Sequence, residues 1–147
     1  MISYPLGSIL LIRDYQLPTK IKDKIFIVIG KNENKFNLLS MTTSQIYFDP
    51  TLIKHGVIKD REMSLYCFES GKIIGEKGFS FHKNTIVSHR SNIYRIDSEK
   101  IATLNIEILD ILLKQEFINL IYSFYQSNVP NKYKKLFEQI LSMLSST

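Results

Sequence analysis

The run Ile25-Phe26-Ile27-Val28-Ile29 constrains this chain more than any other stretch. It is continuous, apolar and rich in β-branched side chains. A run of that length and composition suits a strand buried on both faces better than a turn of helix. It is entered through Lys22-Asp23-Lys24 and leaves through Gly30 into the polar residues Lys31-Asn32-Glu33-Asn34-Lys35. Asparagine tolerates the left-handed backbone of a turn. A hairpin is therefore expected, with Phe36 to Met41 as its second strand and the hydroxyls Thr42, Thr43 and Ser44 at its exit. Antiparallel pairing sets the start of one strand beside the end of the next. Lys22 and Lys24 should then lie near Thr42 to Ser44, in a small polar site at one end of a sheet.

The rest of the first two thirds repeats this grammar of short runs between turns. Ser8 to Arg13 reads as a first strand and Asp14 to Ile21, with Pro18, as a loop. Ser44 to Lys59 has no clean period and carries Asp49-Pro50 and Gly56, so it reads as a long loop or a short irregular strand. Glu62 to Glu69, Phe79 to Phe81, Asn84 to His89 and Asn92 to Ile96 read as strands, and Ile73 to Gly78 as a bent ribbon. Such a series predicts a small barrel or a strongly curved antiparallel sheet over residues 8 to 96.

The period changes near Asn105. Asn105 can cap a helix, and Glu107 suits its first turn. Ile108, Ile111, Leu112, Ile118 and Tyr122 form one helical stripe; Leu109, Leu113, Phe117, Leu120 and Phe124 form another. Asn128-Val129-Pro130 breaks the pattern. A second helix, Asn131 to Ser145, carries Tyr133, Leu136, Phe137, Ile140, Leu141 and Leu144 on one face. The expectation is a mainly β protein with a C-terminal helical hairpin: a β-barrel domain over 1–97, and a helical extension over 98–147 packed on it as an antiparallel pair.

The 147 residues carry a net charge of +5 and 22% charged side chains, with a pI near 9.2. A small basic domain suits nucleic acid or an acidic protein partner, and equally a solvated basic surface with no partner. No apolar run reaches the ~18 residues of a membrane span, and the N-terminus does not read as a signal peptide. Cys67 is the only cysteine, and it is joined by only three histidines. Neither a disulfide nor a metal cluster is expected, no cofactor is implied, and the cytoplasm is the expected compartment.

Several single residues carry chemistry, each with a plainer counterpart. Lys22 and Lys24 can clamp a phosphate, or guard a hydrophobic strand against aggregation. Thr42, Thr43 and Ser44 can orient a phosphate, or satisfy turn backbone. His82 and His89 can move protons, or serve structure. Arg13 and Arg90 can contact phosphates at strand ends. His55, Lys59 and Arg61 form a basic loop that can contact RNA or stay mobile in solvent. Tyr66, Phe79, Phe81 and Tyr94 can stack bases, or fill a core.

Some landmarks occur in a familiar order. Gly7-Ser8-Ile9-Leu10-Leu11-Ile12 opens the chain, Lys24 stands directly before the strand Ile25 to Ile29, and the next strand ends in Thr43-Ser44. Later come Thr85-Ile86-Val87, Ile93 to Asp97, and Leu104-Asn105-Ile106-Glu107. Over roughly residues 5 to 120 this order resembles the MazF/PemK-like toxins. The resemblance implies an SH3-like barrel that dimerises and cuts single-stranded RNA without a metal, opposed by an acidic antitoxin protein. It implies Lys24, Thr43 and Ser44 as catalytic residues; Arg13, Lys22, Thr42, His82, His89 and Arg90, from their own chemistry, are the candidates for contacting the RNA. The family usually has Arg where Lys24 stands, followed by a Pro that is missing here. Lysine supplies a point charge in place of a bidentate fork. The second helix extends past the family's usual end. The alternatives are a non-catalytic binding module of the same fold for nucleic acid or an acidic protein, and an adaptor whose helical tail is its main surface.

Overall fold

A computed structural model describes residues 4–32, 35–60, 63–91 and 93–145. Glu33 and Asn34 of the expected turn, Arg61 of the basic loop, and Glu62 and Asn92 at expected strand starts lie outside them.

The described strands are β1 (Ser8–Gln16), β2 (Ile21–Asn32), β3 (Phe36–Met41), β4 (Gly56–Asp60), β5 (Met63–Phe68), β6 (Thr85–Ser88), β7 (Ile93–Asp97) and β8 (Asn105–Ile111). The helices are α1 (Ser98–Ile101), α2 (Lys114–Tyr125) and α3 (Asn131–Ser145), and a 3-10 turn spans Pro50–Leu52. The protein is mainly β with C-terminal helices, as its sequence pattern implies. Instead of one sheet over residues 8 to 96 there are two, and they do not close into a barrel. One runs β7-β3-β2-β1-β8 and the other β4-β5-β6, with antiparallel neighbours throughout. Among the described residues an isolated bridge, Thr43 to Ile86, joins the tail of β3 to β6.

β2 is the central strand of the larger sheet and is buried on both sides. Phe26 and Val28 face a cluster with Leu10, Ile12, Leu39, Ile96 and Ile101. Ile27 and Ile29 face the main core with Ile9, Leu38, Tyr66, Phe68, Phe117, Leu120, Phe124 and Phe137. Strand alternation sends neighbours to opposite faces, so an unbroken apolar run requires cover on both, and here it has it.

Two stretches depart from the sequence expectation around β1 and β8. Residues 14 to 16 continue β1 instead of opening a loop. Asp14 adopts φ 54° and its N–H donates to Asp23 Oδ1 at 2.9 Å, which absorbs a register shift between Ile12 and Tyr15. That bulge hides the strand from a period-of-two reading. Asn105 to Ile111 is a strand paired with β1, with Arg13 opposite Asn105 and Leu11 opposite Glu107; the expected helix begins only at Lys114. The residues 106 to 112 fit both periods. The open edge of β1 decides, because a strand there satisfies backbone groups that a helix would leave bare.

A third correction concerns Phe79 to Phe81, which form no strand. Asp110 holds the backbone of this segment instead. Its carboxylate accepts from Lys77 N at 3.0 and 3.1 Å, Phe79 N at 3.0 Å and Ile111 N at 2.7 Å. Gly75 fits because a Cβ there would collide with the same carboxylate.

α2 buries Phe117, Leu120, Ile121 and Phe124, the i, i+3, i+4, i+7 spacing of a helix on a core. Each contributes about 1.5–3 kcal/mol of apolar transfer. α3 packs on α2 through Phe137, whose ring lies 5.6 Å from that of Phe124. Its Leu136 closes on Gly30 of β2, where a Cβ would sit 2.8 Å from Leu136 Cδ2. Among the described residues no helix is long and apolar enough to cross a membrane.

Candidate functional site

The start of β2, the tail of β3 and the loop before β6 meet in an open cleft of about 270 Å³. Its walls include Lys22, Lys24, Thr42, Thr43, Ser44, His82, Lys83 and Thr85. A smaller cavity of about 110 Å³ adjoins it and adds Lys20 and Gln45. The hairpin register makes this meeting unavoidable. Phe26 pairs with Met41, so Ile25 and Lys24 stand beside Thr42 and Thr43. Thr43 then pairs with Ile86 in both directions, at 3.0 and 2.9 Å, which draws in the loop before β6. That loop is fixed in turn: Ser70 Oγ donates to the His82 carbonyl at 2.7 Å, and Ser70 N–H to Asn84 Oδ1 at 2.8 Å.

The field in the cleft is positive. Lys20, Lys22, Lys24 and Lys83 line the two cavities against one carboxylate, Asp23, whose Oδ1 already accepts the Asp14 N–H. Lys24 is half-buried, and burial lowers its pKa, aided by the charges of Lys22 and Lys20. The hydroxyls differ in what they can offer. Thr42 Oγ1 donates to the Ile25 carbonyl at 2.9 Å and Thr85 Oγ1 to the Lys83 carbonyl at 2.9 Å, so both are committed. Thr43 Oγ1 accepts from Gln45 N at 3.1 Å and keeps its hydrogen for a ligand. Ser44 is exposed.

Six of the nine expected site residues are thus brought together: Lys22, Lys24, Thr42, Thr43, Ser44 and His82. The other three lie elsewhere. Arg13 pairs with Glu107 across β1 and β8 at 2.7 Å. Arg90 is exposed beyond β6 and lines neither cavity. His89 is fully buried. Lys20 and Lys83 were missed; Lys20, Lys22 and Lys24 alternate in sequence, which is the signal that could have shown the first of them.

His89 is a strut between β5 and α2. Ser123 Oγ donates to the Leu120 carbonyl at 2.5 Å, so it must accept from His89 Nε2–H at 2.8 Å. Nδ1 then accepts from Ser64 Oγ at 2.8 Å. The ring meets Phe124 edge-on, 4.8 Å between centroids. Burial, with the Lys59 charge, lowers the imidazole pKa from 6.5 to about 4. A lowered value favours the neutral folded form, so full stability is present above pH 6.5 and is lost as pH falls toward 4. The expected loss is about 2–3 kcal/mol across that window. Chemical denaturation at pH 7 and pH 4.5 measures it, and in His89→Gln the slope should flatten.

His55 and Tyr66 also leave the list of RNA contacts. His55 Nδ1 accepts from Glu69 N at 3.1 Å, so Nε2 carries the hydrogen and donates to Glu116 Oε2 at 2.7 Å. Tyr66, in the core, donates its hydroxyl to the same oxygen at 2.5 Å. Phe81 is buried at the cleft wall, and Tyr94 is half-buried beside Tyr15 and Phe26. Among the described residues no three His, Cys, Asp or Glu side chains converge as metal ligands would. No protein-family model matches the chain, and neither does any curated protein or solved structure.

Proposed function

We propose that the cleft grips a phosphodiester of single-stranded RNA and cuts it by attack of the ribose 2′-hydroxyl, without a metal. The observation that carries this reading is the convergence of Lys20, Lys22, Lys24 and Lys83 on one concavity that also holds Thr43 and His82. The order of landmarks shared with MazF/PemK-like toxins supports it, and with it a homodimer, an acidic antitoxin protein and a cytoplasmic setting.

In the reaction a bond forms between O2′ and phosphorus as the bond from phosphorus to O5′ breaks. The products are a 2′,3′-cyclic phosphate and a 5′-hydroxyl. O2′ must lose a proton and O5′ must gain one, while charge grows on the non-bridging oxygens. In this reading Lys22 and Thr43 hold those oxygens. The lowered pKa of Lys24 brings its ammonium nearer the range where it can also pass a proton. His82 at the rim is the second proton carrier.

Purified protein in excess chelator should leave cyclic-phosphate ends on single-stranded RNA. Lys24→Ala and Thr43→Ala should each slow the cutting roughly tenfold or more. Unchanged rates in both would remove the site assignment. A second reading, binding without cutting, has one observation in its favour. Thr42 and Thr85 spend their hydroxyls on backbone carbonyls, and among the described residues the His82 ring makes no hydrogen bond that would orient it. RNA that is bound but stays uncut would decide for that reading.

A further inference from the structure

At the other end of β2 lies a second groove, about 290 Å³, between α3 and the edge formed by β3 and β7. Lys22 and Asn32 are ten residues apart on one strand, which sets the two places about 30 Å apart. Arg95, Lys132 and Lys135 line the groove with Phe36 and Tyr133, and Asn32 and Gln139 add side-chain amides. None of its lining residues is acidic. The cations and rings are already organised against each other. The Arg95 guanidinium lies over the Phe36 ring at 4.2 Å, and Lys132 Nζ is 5.0 Å from the centre of the Tyr133 ring. Arg95 reaches Asp97 only at 3.7 Å, so its charge stays largely available.

We propose that this groove binds single-stranded RNA, holding a base on its aromatic planes and the flanking phosphates with Lys132, Lys135 and Arg95. Flat rings in a concavity suit an unpaired base, which can offer its whole face; a duplex hides both faces of every base. The three cations supply the salt-sensitive part of the attraction. The two amides can meet a base edge, since each offers both a donor and an acceptor. α3 provides more than half of this surface, which accounts for a basic second helix whose apolar side alone is needed for packing. The groove works independently of cutting: a protein with an inactive cleft still binds here.

The test uses a fluorescein-labelled 2′-O-methyl RNA of about ten nucleotides, which cannot undergo 2′-hydroxyl attack and spans more than one base-stacking position. Lys132, Lys135 and Arg95 are exposed, so Lys132→Glu/Lys135→Glu should melt like the wild type. Its affinity should fall at least about tenfold, and the slope of log K against log salt should shrink by about 1.4, near 0.7 for each lost phosphate contact. Photo-crosslinks from 4-thiouridine should map to Phe36 or Tyr133 and persist in Lys24→Ala. Affinity in the double variant within about twofold of wild type would overturn the proposal. So would equal binding of duplex RNA, the absence of groove crosslinks, or displacement of the RNA by polyglutamate at lower concentration than by unlabelled RNA. The last outcome would point to an acidic protein as the occupant.

Discussion

Glu116→Ala is expected to cost about 4 kcal/mol, and to lower the melting temperature by about 10 °C in a chain of this size. One carboxylate oxygen serves two donors from different parts of the chain, the buried Tyr66 hydroxyl and the half-buried His55 N–H. His55 precedes β4, Tyr66 is on β5, and Glu116 lies in the first turn of α2. The position suits a negative charge, because the N-terminal end of a helix carries the positive end of its dipole. Alanine leaves the hydroxyl of a tyrosine that is 1% exposed without an acceptor. It also strands the His55 N–H, and each orphan costs about 1–3 kcal/mol. Glu116→Gln keeps one oxygen acceptor and should cost about 1–2 kcal/mol. Tyr66→Phe removes the donor and should be milder than Glu116→Ala. In the double variant Tyr66→Phe/Glu116→Gln the costs should fall short of the sum, because the two groups share one bond. Strict additivity in denaturant melts would show that they do not. Burial and then Glu116 raise the Tyr66 pKa. That contribution to stability is complete below pH 10 and is lost as pH rises above it, when the unfolded chain ionises and the folded one resists.

Asp110→Ala should cost a similar amount, about 4 kcal/mol, for a different reason. Three backbone N–H groups end on this buried carboxylate, and hydrogen bonds to a charged acceptor are worth about 1.5–3 kcal/mol each. Lys77 is exposed and its N–H can turn to water, so the full sum is not reached. Asp110→Asn should cost nearly as much, because its amide hydrogens would face donors. Burial alone would raise the Asp110 pKa, but the N–H groups of Ile111, Phe79 and Lys77 outweigh it and hold the carboxyl below its usual value. Its contribution is therefore present above about pH 4 and is lost as pH falls through the lowered folded value. Stability curves should separate the two acid limbs. The loss from pH 6.5 toward 4 belongs to His89 and should survive in Asp110→Ala, whereas the loss below pH 4 should shrink. A variant that keeps that lower limb would show that another carboxylate produces it.

Part of the candidate site was legible because it depends only on neighbours along one hairpin. Once Ile25 to Ile29 and Phe36 to Met41 are antiparallel strands, Lys22 and Lys24 fall beside Thr42 to Ser44, whatever the rest of the chain does. The α2 and α3 core faces were legible for the same reason, since Phe117, Leu120 and Phe124 repeat at helical spacing. Lys83 enters the cleft only through the bridge from Thr43 to Ile86, a contact between two sheets that no local pattern announces. His89, directly after that short strand, was indistinguishable from a site histidine until Ser64 and Ser123 were seen to hold both of its ring nitrogens.

The sequence by itself determined a double-faced central strand, a hairpin with lysines at one end and hydroxyls at the other, and two amphipathic helices at the C-terminus. These follow from side-chain period and turn chemistry, which act over a few residues. Tertiary structure alone decided three things. Residues 105 to 111 became a strand because the edge of β1 had backbone groups to satisfy. The strands divided into two sheets, joined at Thr43 and Ile86. Residues 73 to 78, expected as a bent ribbon, and 79 to 81, expected as a strand, wrap around Asp110 instead. In each case the deciding partner lies far away in the chain, and a hydrogen-bonding edge or a buried charge outweighs a local propensity worth at most ~1 kcal/mol per residue.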